Sequence, residues 1–128
     1  MSSRQVISSP DGPKAIGPYS QAVRANGFIF VSGQVAINPA TNALISDTDI
    51  RAQTERVLKN IQAILQGAGS GMHEVVKTTV FLADLGDFVA MNETYQTFFG
   101  PEPPARSTVE VRRLPRDVKI EIDVIALG

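Results

Sequence analysis

The sequence predicts an α+β domain: a mostly antiparallel sheet with two helices packed on one face. Three observations carry that expectation. The last quarter of the chain alternates apolar and polar residues at period two, as half-buried strands do. Asn26-Gly27 lies between two strand-like runs, and both residues tolerate the positive φ of a type I′ hairpin turn. Two runs at helical period flank a β-branched run, Val75 to Leu82.

Taken in order, Val6-Ile7-Ser8 reads as a short edge strand and Pro10-Asp11-Gly12-Pro13 as a turn. Gly17 to Ala25 is a strand entered through Gly-Pro, and Phe28 to Val35 returns. A two-residue loop sets Ala25 against Phe28, Val23 against Phe30, Gln21 against Ser32 and Tyr19 against Gln34. Tyr19, Gln21, Ser32 and Gln34 should therefore gather at the far end of this hairpin. Asn38 to Asn42 is a loop. A first helix opens near Ser46–Asp49, where several residues can cap it, and carries Ile50, Val57, Leu58, Ile61, Ile64, Leu65 and Ala68 on its apolar stripe. Gly67, Gly69 and Gly71 follow a helix and precede a strand. A phosphate-binding loop needs the reverse order, so these glycines read as a C-cap. Asp84 or Asp87 starts a second helix, with Phe88, Met91, Tyr95 and Phe98 as a core stripe and Asn92 at its edge. Gly100-Pro101 stops it. Ala105–Val111 and Val118–Ala126 are read as a closing hairpin around Leu114-Pro115-Arg116-Asp117.

That hairpin supplies the candidate chemistry. Matching its apolar faces would set Arg106 against Asp123 or Glu121, with Arg106 and Glu121 on one sheet face. The structural alternative is an ordinary cross-strand ion pair. The second face of the sheet mixes Tyr19, Ser32, Arg106 and Glu121 with apolar groups, and the chain has nothing left to cover it. That pattern points to an oligomer.

Composition narrows the function. At 128 residues the chain is expected to be one domain, 1–128, with no repeat or linker. A net charge of −1 and the absence of a basic stripe argue against nucleic acid as a partner on electrostatic grounds. The chain has no cysteine and one histidine, His73, which excludes thiolate chemistry and the common His- or Cys-based metal sites. No apolar run is long enough to span a membrane. Met1–Ser9 lacks the apolar segment of a secretory signal and is compatible with the tail of an organellar presequence but much too short to count as one; the expected compartment is the cytoplasm.

Six segments in order resemble one family: Gly17-Pro18-Tyr19-Ser20-Gln21-Ala22, Phe30-Val31-Ser32-Gly33-Gln34, Val76-Lys77-Thr78-Thr79-Val80, Met91-Asn92-Glu93-Thr94-Tyr95, Pro104-Ala105-Arg106-Ser107 and Ile120-Glu121-Ile122. The chain resembles the RidA family of enamine/imine deaminases, formerly called YjgF. The resemblance implies a chorismate-mutase-like fold and a homotrimer with active sites between subunits. It also implies hydrolysis of 2-aminoacrylate and related 2-imino acids, products of pyridoxal-phosphate enzymes, to 2-keto acids and ammonia. Under it Arg106 binds the substrate carboxylate and Glu121 orients the attacking water. Tyr19, Ser32, Gly33 and Asn92 match other pocket positions. Thr108, which stands where many members carry cysteine, is by the same resemblance a further substrate-binding position. No metal or organic cofactor is implied. Two alternatives remain open: an endoribonuclease or translation inhibitor, and a non-catalytic binder of small carboxylates or chaperone-like trimer.

Overall fold

The computed structural model describes residues 3–128. Met1 and Ser2, the start of the Met1–Ser9 stretch, lie outside the described residues. In chain order the elements are β1 (Arg4–Ile7), β2 (Ala22–Ala25), β3 (Phe28–Gln34), β4 (Ile37–Asn38), β5 (Ala43–Leu44), α1 (Ile50–Gly67), β6 (Val75–Leu82), α2 (Phe88–Phe99), β7 (Ala105–Glu110) and β8 (Ile120–Leu127). Six strands form one sheet in the order β1-β2-β3-β8-β6-β7. Every neighbouring pair in it is antiparallel except β6 and β7. The predicted α+β class, with its mostly antiparallel sheet and two helices, is what the chain adopts. The 38–42 loop is the tip of a two-residue ladder between β4 and β5, too short to show as alternation.

The first hairpin has the predicted register beside its turn, with Ala25 opposite Phe28 and Val23 opposite Phe30. Asn26 and Gly27 take φ of 51° and 80°, as a type I′ turn demands. The strand before the turn is shorter than expected: it begins only at Ala22, and Gln21, whose carbonyl accepts from the Ser32 amide at 2.9 Å as the predicted register requires, is the last residue to bond β3 through the backbone. The expected four-residue cluster forms only in part, because the Gln21 and Gln34 side chains turn inward. Val31 pairs with Val124 and Gln34 with Ile122, so Ser32 and Gly33 together oppose Asp123. That extra residue is a β-bulge. It shifts the pleat, turns Gln34 into the helix-covered interior, and leaves Ser32 and Gly33 beside β8. Gln21 is buried too, accepting from the Ser9 amide at 2.6 Å and donating to the Pro13 carbonyl at 2.7 Å. The Gln34 side-chain amide still donates to the Ser32 carbonyl at 3.2 Å, but only Tyr19 and Ser32 of the four line an open cleft together.

The helices follow their sequence signals. The Asp49 side chain accepts from the Arg51 amide at 2.7 Å and caps α1. Gly69, at φ 80°, completes the C-cap, with the Ser70 amide donating to the Leu65 carbonyl at 2.8 Å. Val57, Leu58, Ile61, Ile64 and Leu65 are fully buried, in one cluster with Ile120, Ile122 and Val124 of β8. Each such side chain contributes about 1.5–3 kcal/mol by leaving water, so this contact fixes which face of β8 points to the helices. Asp84 caps a short helical turn before α2 by accepting from the Gly86 amide at 2.8 Å.

The closing hairpin is the main correction. β7 and β8 do not pair. β6 lies between them, antiparallel to β8 and parallel to β7. The α2 helix supplies the long crossover that a parallel pair requires. Opposed residues share a face: Arg106 opposes Thr78, which opposes Val124 on the buried, helix-covered side. Glu121 opposes Phe81, three positions from Thr78 and therefore on the other side. Arg106 and Glu121 thus occupy opposite faces of the sheet, not one face, and neither Glu121 nor Asp123 pairs with Arg106. Apolar matching misled because β7 is an edge strand whose Val109 points away from the helices and stays exposed.

Candidate active site

Glu121 stands on a central strand, on the sheet face that the helices leave open. The bulge brings the Gly33 backbone against its carboxylate. A Cβ placed on Gly33 would come within 2.5 Å of Glu121 Oε2 and 2.9 Å of its carboxyl carbon. Glycine is needed here for close approach, since any side chain would displace the carboxylate. Glu121, Ser32, Gly33 and Tyr19 line a cleft of about 550 Å³, with Lys14 and Arg116 among the other lining residues. The Ser32 hydroxyl donates to the Ser20 carbonyl at 2.6 Å, which ties the bulge to the segment carrying Tyr19. Partial burial holds the Glu121 carboxyl above its usual pKa range, and the neighbouring Asp123 charge adds to the rise. Asp123 is raised by burial as well, with Lys77 and Thr79 pulling the other way.

Arg106 opens into a second cleft, of about 690 Å³, at the edge where β7 meets α2. Its Nη1 donates to Asn92 Oδ1 at 2.7 Å. Its guanidinium carbon lies 4.8 Å from the Tyr95 ring centroid and 5.5 Å from that of Phe88. Tyr95 is in turn bonded through its hydroxyl to Thr78 Oγ1 at 2.7 Å. The ion pairs among the described residues are Arg51–Glu93, Lys59–Glu55, His73–Glu74 and Arg113–Asp117. Arg106 is in none of them.

The sequence-predicted residues therefore fall into two groups. Tyr19, Ser32 and Gly33 accompany Glu121; Asn92 accompanies Arg106. Thr108, expected among the substrate contacts, lies on β7 opposite Val80, with its hydroxyl oxygen buried and without a hydrogen-bond partner among the described residues, and it lines neither cleft of the single chain. Sequence reasoning missed Phe88 and Tyr95 as partners of Arg106, having counted them as core. The signal was present: Phe88, Asn92 and Tyr95 recur at i, i+4 and i+7, so a polar residue shares a face with two rings. Lys14 and Arg116 carry no such signal, since both sit in irregular segments. Among the described residues no cluster of His, Asp or Glu is placed to hold a metal ion.

These features define a small α+β protein whose guanidinium and carboxylate open into separate clefts, one toward each face of a single sheet. Comparison with known proteins gives the family. The family model described as Endoribonuclease L-PSP matches residues 9–128. A RutC family protein of Pyrococcus abyssi is 52% identical over 123 residues, 96% of each chain. The chloroplastic Reactive Intermediate Deaminase A of Arabidopsis thaliana is 46% identical over 123 residues, 96% of this chain and 65% of that protein. Among solved structures, the Rid-family protein YyfA of Yersinia pestis superposes with a TM-score of 0.95 at 46% identity, over 98% of this chain and 100% of the other. Escherichia coli TdcF with bound serine gives 0.90 at 40% identity, over 97% and 98%. The chain belongs to the RidA/YjgF family.

Proposed function

We propose that the protein is a hydrolytic deaminase that converts 2-aminoacrylate and related 2-imino acids to 2-keto acids and ammonia. It works as a homotrimer, with each active site closed between two subunits. One observation carries the reading: a guanidinium without a carboxylate partner among the described residues and a half-buried glutamate face different clefts of the same chain. A single chain cannot bring them to one small substrate. The Arg106 cleft of one subunit set against the Glu121 cleft of a neighbour can. The chorismate-mutase-like arrangement expected from the resemblance is such an assembly.

In that site Arg106 grips the substrate carboxylate through two parallel hydrogen bonds, which set orientation as well as charge. The imine carbon then lies near a water held by Glu121. Glu121 accepts a proton as the water adds to the C=N bond, giving a carbinolamine. Glu121 then returns that proton to nitrogen, and as the C–N bond breaks and ammonia leaves, the carbinol O–H proton passes back to Glu121 while the C=O bond forms. Each turnover consumes one water and needs no redox step. Tyr19, Ser32 and Asn92 contact the substrate or its water. Support comes from the deaminase name of the Arabidopsis relative and from the serine bound to TdcF, an α-carboxylate of suitable size.

The test generates the imine in situ with a dehydratase and follows keto acid and ammonia. Acceleration over the spontaneous rate supports the proposal. Pyruvate binding without acceleration would instead favour a non-catalytic carboxylate binder. The ribonuclease reading takes its support from the description of the family model. It is weakened by the net charge of −1 and by His73, which is exposed and whose ion-pair partner among the described residues is Glu74. RNA cleavage that survives Glu121→Gln and Arg106→Lys would restore it. We place the protein in the cytoplasm by default; no helix among the described residues is long and apolar enough to cross a membrane.

A further inference from the structure

We propose that Tyr95 and Phe88 form an aromatic slot that pre-positions the Arg106 guanidinium, and that Tyr95 is a positioning residue for carboxylate binding. The inference rests on the reading of Arg106 as the carboxylate grip.

An arginine side chain is long and rotamer-rich, and its planar head gives little orientation unless something fixes the plane. Here three contacts fix it. Asn92 Oδ1 takes one N–H at 2.7 Å. The Tyr95 ring centroid lies 4.8 Å and the Phe88 centroid 5.5 Å from the guanidinium carbon, both within the range of cation–π attraction. Of the five N–H donors that arginine carries, the rest have no partner among the described residues.

The slot is itself anchored. Tyr95 is buried in the core, and its hydroxyl meets the buried Thr78 Oγ1 at 2.7 Å. Thr78 lies on β6 directly opposite Arg106 on β7. The strand that pairs with the arginine therefore also holds the ring beneath its head. Phe99 leans on Tyr95 with ring centroids 4.6 Å apart and blocks the ring from swinging away. A tyrosine needed only for packing would not require its ring beside an arginine that has no carboxylate partner. Burial raises the Tyr95 pKa, and the hydroxyl stays neutral as a hydrogen-bonding anchor.

Three variants of the full-length assembled protein test this, with pyruvate as the calorimetric probe. Tyr95→Phe keeps the ring and should keep pyruvate affinity within about twofold, because the cation–π face is retained. Tyr95→Leu should weaken pyruvate binding by about three- to thirtyfold, the span expected for losing a partly desolvated cation–π contact. Phe88→Leu, at a more exposed position, should show a loss at the lower end and keeps the test decisive if Tyr95→Leu does not fold. Chemical rescue supplies a readout that packing alone would not move. Guanidinium chloride at low millimolar concentration should partly restore turnover to Arg106→Ala, and not to Arg106→Ala combined with Phe88→Leu or Tyr95→Leu. Native pyruvate affinity in folded Tyr95→Leu, or in Phe88→Leu where that variant does not fold, overturns the slot. Rescue that ignores the rings also overturns it. If Arg106→Ala itself keeps full turnover and pyruvate affinity, the underlying reading of Arg106 has failed instead.

Discussion

At the scale of single residues, Glu121 is the decisive group. Its carboxyl is raised first by burial and then by Asp123. A general base must be ionised, so kcat/KM should fall as pH drops through a value above the ordinary glutamate range. Asp123→Asn removes the like charge and should move that acid limb to lower pH; a limb that does not move assigns it to another group. Glu121→Gln should cut turnover on the order of a hundredfold or more while preserving the fold. Stability should move the other way. The folded chain holds the Glu121 proton more tightly than the unfolded chain does, so this group's contribution is full below the unfolded pKa and is lost as pH rises through the folded one. The glutamine variant should therefore melt at or above wild type at neutral pH, with the gap closing in acid. A lower melting temperature at neutral pH contradicts the raised pKa. Thr108→Cys should change turnover little, because that side chain lines neither cleft and the proposed chemistry forms no covalent intermediate.

At the scale of elements, local signals were legible and long-range pairing was not. The Asn26-Gly27 turn fixed its own register, and Asp49 capped α1, because both effects act within a few residues. Asp49→Ala should cost about 1 kcal/mol in a denaturation experiment, the usual worth of an N-cap; no measurable loss would mean another group takes over the Arg51 amide. The bulge at Ser32 and Gly33 left no mark that pattern alone could reveal, although it sets Gly33 against the Glu121 carboxylate. The order of β7 and β8 was misread for a physical reason. Alternation reports which residues share a face of one strand, not which strand lies alongside. Arg106 and Glu121 were picked out partly by residue type and partly by family likeness, yet the inferred hairpin put them on one face. Reversing that single pairing separates them across the sheet. The same correction explains Phe88 and Tyr95: α2 is the crossover to β7, so its aromatic stripe ends beside Arg106.

At the scale of the whole molecule, the open sheet face is the basis for proposing a partner subunit. Val6, Val23, Phe30 and Ile125 form one row across four strands, and Phe28 and Leu127 adjoin it. Val6 is 54% and Phe30 45% exposed in the single chain, more apolar surface on one sheet face than a monomer usually leaves in water. Light scattering during size exclusion should give three times the 13.8 kDa chain mass, and a monomer would remove the basis for a shared site. Mixing tests the shared site itself. Arg106→Ala and Glu121→Gln should each be nearly inactive alone. Unfolded together in equal amounts and refolded, they should recover about a quarter of wild-type turnover, since random assembly gives one interface in four an intact arginine and an intact glutamate from different chains. Recovery near that level confirms that one subunit supplies the guanidinium and its neighbour the carboxylate. Mixed oligomers, verified by mass, that stay as inactive as either parent would contradict it.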